Sequence, residues 1–229
     1  MSRQAHFQPQ LFRFLRDLKA NNSRPWFLEN KERYERHARR PLLQFIADFG
    51  PGLRRISPNF LADPRPVGGS MFRIHRDTRF SRDKSPYKLM VAAQFRHVKA
   101  KDVHAPGFYL HLEPGRVFAG AGLWRPDGAA AARVRTAMVN NPAAWRRAVS
   151  GRAFRESCTL EGERLRRPPR GFDPDHALVE DLKRKDFIAV RQFTQAEVCS
   201  ADFLVHYTRT CRSMAPLMKF LTKALGLGW

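Results

Sequence analysis

Cysteine is scarce in this sequence: Cys158, Cys199 and Cys211 are the only three in 229 residues. They are odd in number, far apart and without a CxxC pair. That spacing excludes a disulfide framework or a zinc ribbon and suits a reducing cytoplasm. No run approaches the roughly eighteen apolar residues that a membrane-crossing helix needs, so no span is expected. The opening stretch MSRQAHFQPQLFRFLRDLKANN lacks the uninterrupted apolar core of a signal peptide, and none is expected. Neither GxxxxGK[ST] nor GxGxxG occurs, which leaves a standard nucleotide-binding fold without support. RRM, KH and helix-turn-helix signatures are missing too. Acidic residues are the other shortage: 21 Asp and Glu face 42 Lys and Arg, a formal net charge of +21.

Such a field attracts nucleic acid, anionic metabolites and acidic lipid headgroups alike. Most of the basic residues are Arg, a bias that a GC-rich coding sequence also produces, so part of the excess reads as solvated surface. The excess is widespread but densest over residues 71–101, nine Lys/Arg against two Asp, and the chain is organised around 68–90, GGSMFRIHRDTRFSRDKSPYKLM. There Arg73, Arg76, Arg79, Arg82, Lys84 and Lys88 fall within sixteen residues, with Asp77, Asp83 and Tyr87 among them. Arginine stays charged at physiological pH, and its planar fork matches carboxylate and phosphate. A plain basic tail would be Lys-rich and free of apolar residues. Here Phe72, Ile74, Phe80, Tyr87 and Met90 interrupt the run, which points to a folded segment with fixed charges and hence to an anion site.

Along the chain, the spacing predicts an amphipathic helix over 9–20. A second helix begins after Ser23, is kinked or restarted at Pro41, and is ended by Gly50-Pro51-Gly52. Its stretch KERYERHARR reads as a solvated face. Residues 51–70 form a loop, in which Gly68-Gly69-Ser70 reads as a plain turn ahead of a phosphate cradle. Strand-like alternation follows at Phe72 and Ile74, over 88–97, in GFYLHLE, and in 116–124 after the turn Pro114-Gly115. Tyr109, His111 and Glu113 share one face of their strand, and Phe108, Leu110 and Leu112 the other. Gly120 and Gly122 mark a close approach by another backbone or by a ligand. Helices are predicted over 128–139, 142–150, 173–184 and 200–225, a small hairpin around 160–165, and a late strand at 187–193. Thr194-x-x-Glu197 reads as a capping box. Strands joined by turns argue for an α+β fold: an antiparallel sheet of about four to six strands, with helices from both termini packed on it. No repeat or linker divides the chain, so one domain over 1–229 is expected: helices 9–50, sheet core 71–124, and a helical and mixed part 127–229.

Chemistry-bearing motifs are few. His75-Arg76-Asp77 spells the kinase catalytic tripeptide, but Arg82 stands where an Asn is needed and no DFG follows. His75, His97, His104 and His111 lack metal-ligand spacing, so no metal is assigned. Ser70, Ser81 and Ser85 have no evident relay. Asp77 and Asp83, surrounded by Arg, should be held ionised, which suits pairing better than acid catalysis.

Residues 73–87 fit R-x-x-R-D-x-R-F-x-x-D-K-x-x-Y, here Arg73, Arg76, Asp77, Arg79, Phe80, Asp83, Lys84 and Tyr87. Together with NNSRPWF (Asn21 to Phe27) and GFYLHLEPGRVFAGAGLW, this resembles the signature of a bacterial family, domain-of-unknown-function family 2461. The resemblance covers nearly the whole chain. It implies a shared fold and a candidate site, and no particular reaction or cofactor.

Two functions of different class follow as expectations. The first is a binder of a phosphorylated or carboxylated small molecule, or an enzyme acting on one. Arg73, Arg76, Arg79, Lys84 and Lys88 would clamp the anion, Asp77 and Asp83 would orient them, and Tyr109 or Trp124 would stack on a ring. Asp77, Tyr87 and His111 are then the candidate acid–base groups. The second is an RNA- or DNA-binding module using the basic loop and the sheet face, with Tyr109, Trp124 and Arg96 as stacking platforms. A third reading makes the Arg–Asp lattice purely structural, with the functional site elsewhere.

Overall fold

The computed structural model describes residues 4–99 and 105–229. His104 lies outside them. The elements are α1 (Pro9–Ala20), α2 (Arg24–Glu29), α3 (Lys31–Tyr34), a π-helical stretch (Glu35–Arg39), α4 (Arg40–Ile56), β1 (Val91–Arg96), β2 (Gly107–Glu113) and β3 (Arg116–Leu123). They continue with α5 (Gly128–Asn140), α6 (Pro142–Ser150), α7 (Arg152–Ser157), β4 (Thr159–Glu161), α8 (Val179–Leu182), β5 (Phe187–Phe193), α9 (Gln195–Val198) and α10 (Phe203–Ala224).

The five strands form one antiparallel sheet in the order β1-β2-β3-β5-β4. It is an α+β fold. Side chains alternate across the sheet as the period of two demands. Phe95, Phe108, Leu110, Leu112, Ala119, Ala121 and Phe187 are buried on the face that helices from both ends of the chain cover: α4 lies on β1, and α10 on β3 and β5. Aromatic rings join these layers. Phe49 of α4 meets Phe95 edge-on at 4.7 Å and Tyr207 of α10 at 4.9 Å. The opposite face carries Gln94, Tyr109, Phe118 and Gln192 and stays partly open. Among the described residues no helix is long and apolar enough to cross a membrane.

Four local expectations are corrected. Gly50-Pro51-Gly52 does not end the second helix; α4 runs through it to Ile56. Pro51 is exposed, where water can take over the hydrogen bond its missing N–H forgoes. Both glycines are buried, and a Cβ on Gly52 would lie 3.2 Å from Thr208 Cγ2, so this glycine lets α4 and α10 touch. The helix expected over 173–184 shrinks to α8. Asp173 Oδ1 accepts the Asp175 N–H at 2.9 Å, a local bond that competes with helix. The end of the segment pairs instead with 163–165, through Leu165 N to Lys183 O at 2.7 Å and Lys185 N to Glu163 O at 2.8 Å. Residues 160–165 make no hairpin of their own: β4 pairs with β5, because Gly162 at φ +109° turns the chain against Asp186. Phe72 and Ile74 lie in a segment tied to β1 by one bridge, Met71 to Ala93, and not in a regular strand.

Candidate functional site

The signature segment folds as a loop closed at its base. His75 and Tyr87 bridge, the Arg76 N–H donates to Pro86 O at 2.8 Å, and the Lys88 N–H donates to Ile74 O at 2.8 Å. Tyr87 is the anchor. Its ring is buried and stacks on Phe27 at 4.0 Å, and its backbone is gripped by the Asn22 side-chain amide at 3.0 and 3.1 Å. Two separate stretches of the resemblance, NNSRPWF and the Arg-rich signature, therefore meet at one joint.

Inside the loop most charges face their own chain. Arg76 pairs with Asp83, and its other amino group reaches Ser81 Oγ at 3.4 Å. Asp83 also accepts the Ser85 N–H at 2.9 Å and the Ser85 hydroxyl at 2.6 Å. These bonds, with Arg76 after them, hold its carboxyl far below the ordinary carboxylate range. Asp77 receives Arg79 Nε at 3.0 Å and Nη2 at 2.7 Å, which pulls it down to about 2. Neither acid can donate a proton at neutral pH. Lys84 donates to Thr78 O at 3.0 Å, and Lys88 to Arg73 O at 2.6 Å and His75 O at 3.1 Å. Burial, and then the Arg73 charge, lower the Lys88 ammonium pKa. Among the described residues the Arg73 and Arg82 side chains make no hydrogen bond or ion pair, and both are exposed. At the tip Phe80 is 96% exposed, with the Arg79 guanidinium 5.8 Å from its ring.

A second set lies on the open sheet face. Tyr109 Oη is 3.0 Å from His111 Nδ1, and His111 Nε2 is 3.0 Å from Glu113 Oε2. A carboxylate only accepts, so Nε2 carries the proton and Nδ1 accepts from the phenol. Phe118 stacks on the imidazole at 4.7 Å and Phe72 meets Tyr109 edge-on at 6.0 Å. Burial lowers the His111 pKa despite Glu113, and raises the Tyr109 phenol to about 12. Opposite Tyr109 on β3 is Gly120, whose bare position leaves at least 3.7 Å to any neighbour. Gly122 serves a different need. Its φ is +142° and a Cβ there would sit 2.1 Å from Phe187 O, so the close approach is that of β5.

The signature loop opens from the start of β1, beside the end of β2 and the start of β3. Trp124 follows the end of β3, at the other end of the sheet, with the Arg125 guanidinium 4.9 Å from its ring. The structure thus brings Arg73, Arg76, Asp77, Arg79, Asp83, Lys84, Tyr87 and Lys88 into one loop. Tyr109 and His111 lie together on the sheet face, and Trp124 is apart from both. Gly69 is a turn glycine, since a Cβ there would lie 2.3 Å from Arg65 O. A recess of about 160 Å³ lies beside it, bordered by Ser70, Gln94 and Arg96.

One basic region lies outside the sequence expectation. Between the N-terminal segment, α4 and α10 runs a groove of about 950 Å³, lined by Arg36, Arg40, Arg55, Arg209 and Arg212 with Asp48. Residues 36, 40, 44, 48, 52 and 55 recur at steps of four and then three. That spacing is the signal of a single helical stripe, which the charge run KERYERHARR by itself hides.

A search of curated proteins finds no match to this chain. The family described as conserved hypothetical protein (DUF2461) matches residues 10–220, nearly the whole chain, and the protein belongs to that family.

Proposed function

We propose that the segment from Arg73 to Lys88 is a contact surface for a phosphate polyanion, single-stranded nucleic acid in the first place. The observation that carries this reading is the loop tip: Phe80 stands almost fully in solvent, with exposed Arg79 and Arg82 on either side. A base can stack on such a ring while guanidinium groups hold the flanking phosphates. Arg73 and Arg82, whose side chains hold no partner of their own among the described residues, are the phosphate contacts, and the pairs Arg76–Asp83 and Arg79–Asp77 hold the loop in shape. Small-molecule sites are usually concave and enclose their ligand. None of the six signature cations lines either cavity described above, which favours an open polyanion over an enclosed phosphorylated metabolite. The three free thiols fit the reducing cytoplasm, where such a partner is met.

Fluorescence anisotropy with a short labelled oligonucleotide tests this. Binding should weaken steeply with salt, by roughly 0.7 of a log unit per log unit of salt for each phosphate held. Phe80→Ala should cost about 1–3 kcal/mol of binding, and Arg82→Ala should flatten the salt slope. Unchanged affinity in both variants would remove the reading.

An enzymatic reading is favoured by one observation, the line from Tyr109 through His111 to Glu113. There the Tyr109 phenol donates its hydrogen bond to a neutral His111 that Glu113 orients, beside Gly120. Asp77 and Tyr87 fit this line less well, being tied to Arg79 and packed on Phe27. The relay needs a neutral imidazole. In the unfolded chain His111 takes up its proton near the ordinary 6.5, above its lowered folded value, so stability should fall as pH drops below that point. A His111→Gln profile that superimposes on wild type between neutral and mildly acid pH would exclude it.

A further inference from the structure

We infer that the groove between α4 and α10 is a second anion site, separate from the signature loop, and that it takes a nucleoside polyphosphate. Among the described residues its lining has five arginines and one acid, Asp48. That acid is already engaged: His6 Nε2 lies 2.8 Å from one of its oxygens, and Gln44 Nε2 donates to the other at 2.9 Å. Arg36 makes an exposed pair with Glu32 at 2.9 Å. Among the described residues Arg40, Arg55, Arg209 and Arg212 make no hydrogen bond or ion pair, so four guanidinium forks remain for a ligand. Like charges gathered in a concave surface repel one another, and a ligand with several phosphates relieves that repulsion.

The groove is built on rigid elements. Gly52 and Thr208 bring the two helices into contact at its floor, and the N-terminal segment, pinned by the His6–Asp48 contact, closes one side. Arg36 sits in the π-helical stretch before α4, an irregularity that recurs at functional sites. The floor is apolar as well as basic. Pro41, Leu204 and Val205 lie among the arginines, and Val205 is 38% exposed. A volume of about 950 Å³ falls within the 300–1,000 Å³ usual for small-molecule sites. Phosphates on the arginine rim and a nucleoside on the apolar floor satisfy both features, whereas inorganic phosphate uses only the first. With no glycine-rich phosphate loop in the chain, recognition falls to side-chain forks alone.

Isothermal titration of the full-length protein, without divalent cations, provides the test. The probes are a nucleoside triphosphate, inorganic tripolyphosphate, the parent nucleoside and a short oligonucleotide. The triphosphate should bind at least tenfold tighter than tripolyphosphate, and the nucleoside alone should give no measurable heat. R209A/R212A should weaken the triphosphate at least tenfold, and R166A, exposed and outside both the groove and the signature loop, should leave it unchanged. Should the double variant fail to fold, R55A reads the same loss from the other helix. Equal affinity for triphosphate and tripolyphosphate would overturn the assignment of the apolar floor. Unchanged binding in the arginine variants would overturn the site itself. An oligonucleotide that binds more tightly than the triphosphate, and is lost in R209A/R212A, would make the groove a nucleic-acid track instead. Because the groove variants leave the signature loop untouched, failure here leaves the loop reading standing, and the reverse holds.

Discussion

In the signature loop six cations follow one another within sixteen residues, and four of them turn back onto the loop that carries them. In the groove, among the described residues, five arginines arrive from α4, the stretch before it and α10, and the acid Asp48 between them is held by His6 and Gln44. Density of charge along a chain and convergence of charge in space are therefore different properties. A short loop has no core, and its charges supply the local bonds that fix its shape. Long helices are held by their buried faces, which leaves their outer arginines without a structural task. The loop offers what remains exposed at its tip; the groove offers nearly all it has.

The strongest way to break this comparison is to unseat the loop. Tyr87→Ala removes a buried ring stacked on Phe27 and should cost about 3–5 kcal/mol by chemical denaturation. Limited proteolysis should then cut within 76–86, while triphosphate binding by the molecules that remain folded is unaffected. A loss confined to a few tenths of a kcal/mol would mean that the loop is not anchored there. The groove is disturbed next by Gly52→Val, which forces a branched side chain where Thr208 Cγ2 leaves 3.2 Å. Overpacking of this kind costs about 1–3 kcal/mol. It should part α4 from α10, weaken the triphosphate and leave oligonucleotide binding intact. Equal weakening of both ligands would merge the two regions into one. The smallest effect is expected from Arg76→Ala. Its partner Asp83 is 60% exposed at the side chain, so global stability should barely move. Faster hydrogen exchange at the Ser85 amide should report a loosened loop, and an unchanged rate would show that Ser85 and Asp83 hold the turn without the guanidinium.

Much of the architecture is legible in the residue pattern. Alternation in GFYLHLE places Leu110 and Tyr109 on opposite faces, and the strand at 187–193 and the capping box at Thr194 are found where the pattern puts them. Legibility fails where a local signal is overruled. Gly50-Pro51-Gly52 reads as a stop, yet the tertiary contact with Thr208 favours a continuous helix. Asp173-Pro174 reads as a helix start, yet the bonds of Lys183 and Lys185 to the 163–165 segment draw the chain away from it. Within the candidate sites, the grouping of Arg73 to Lys88 is read directly from their closeness in sequence. The pairing of His111 with both Tyr109 and Glu113 follows from their spacing on one strand. The groove is not legible in this way, because Arg36 and Arg212 come to line one space only once the two helical segments are packed.

What the amino-acid order settled alone is local: which residues share a strand face or a helix stripe, and that the charge excess could not be neutralised by so few acids. What folding decided is which of those charges meet. A side chain's direction follows from backbone periodicity over a few residues, whereas its distant neighbours follow from how buried faces pack. At Gly52 that packing left room for two helices to touch and for arginines from both to face one space.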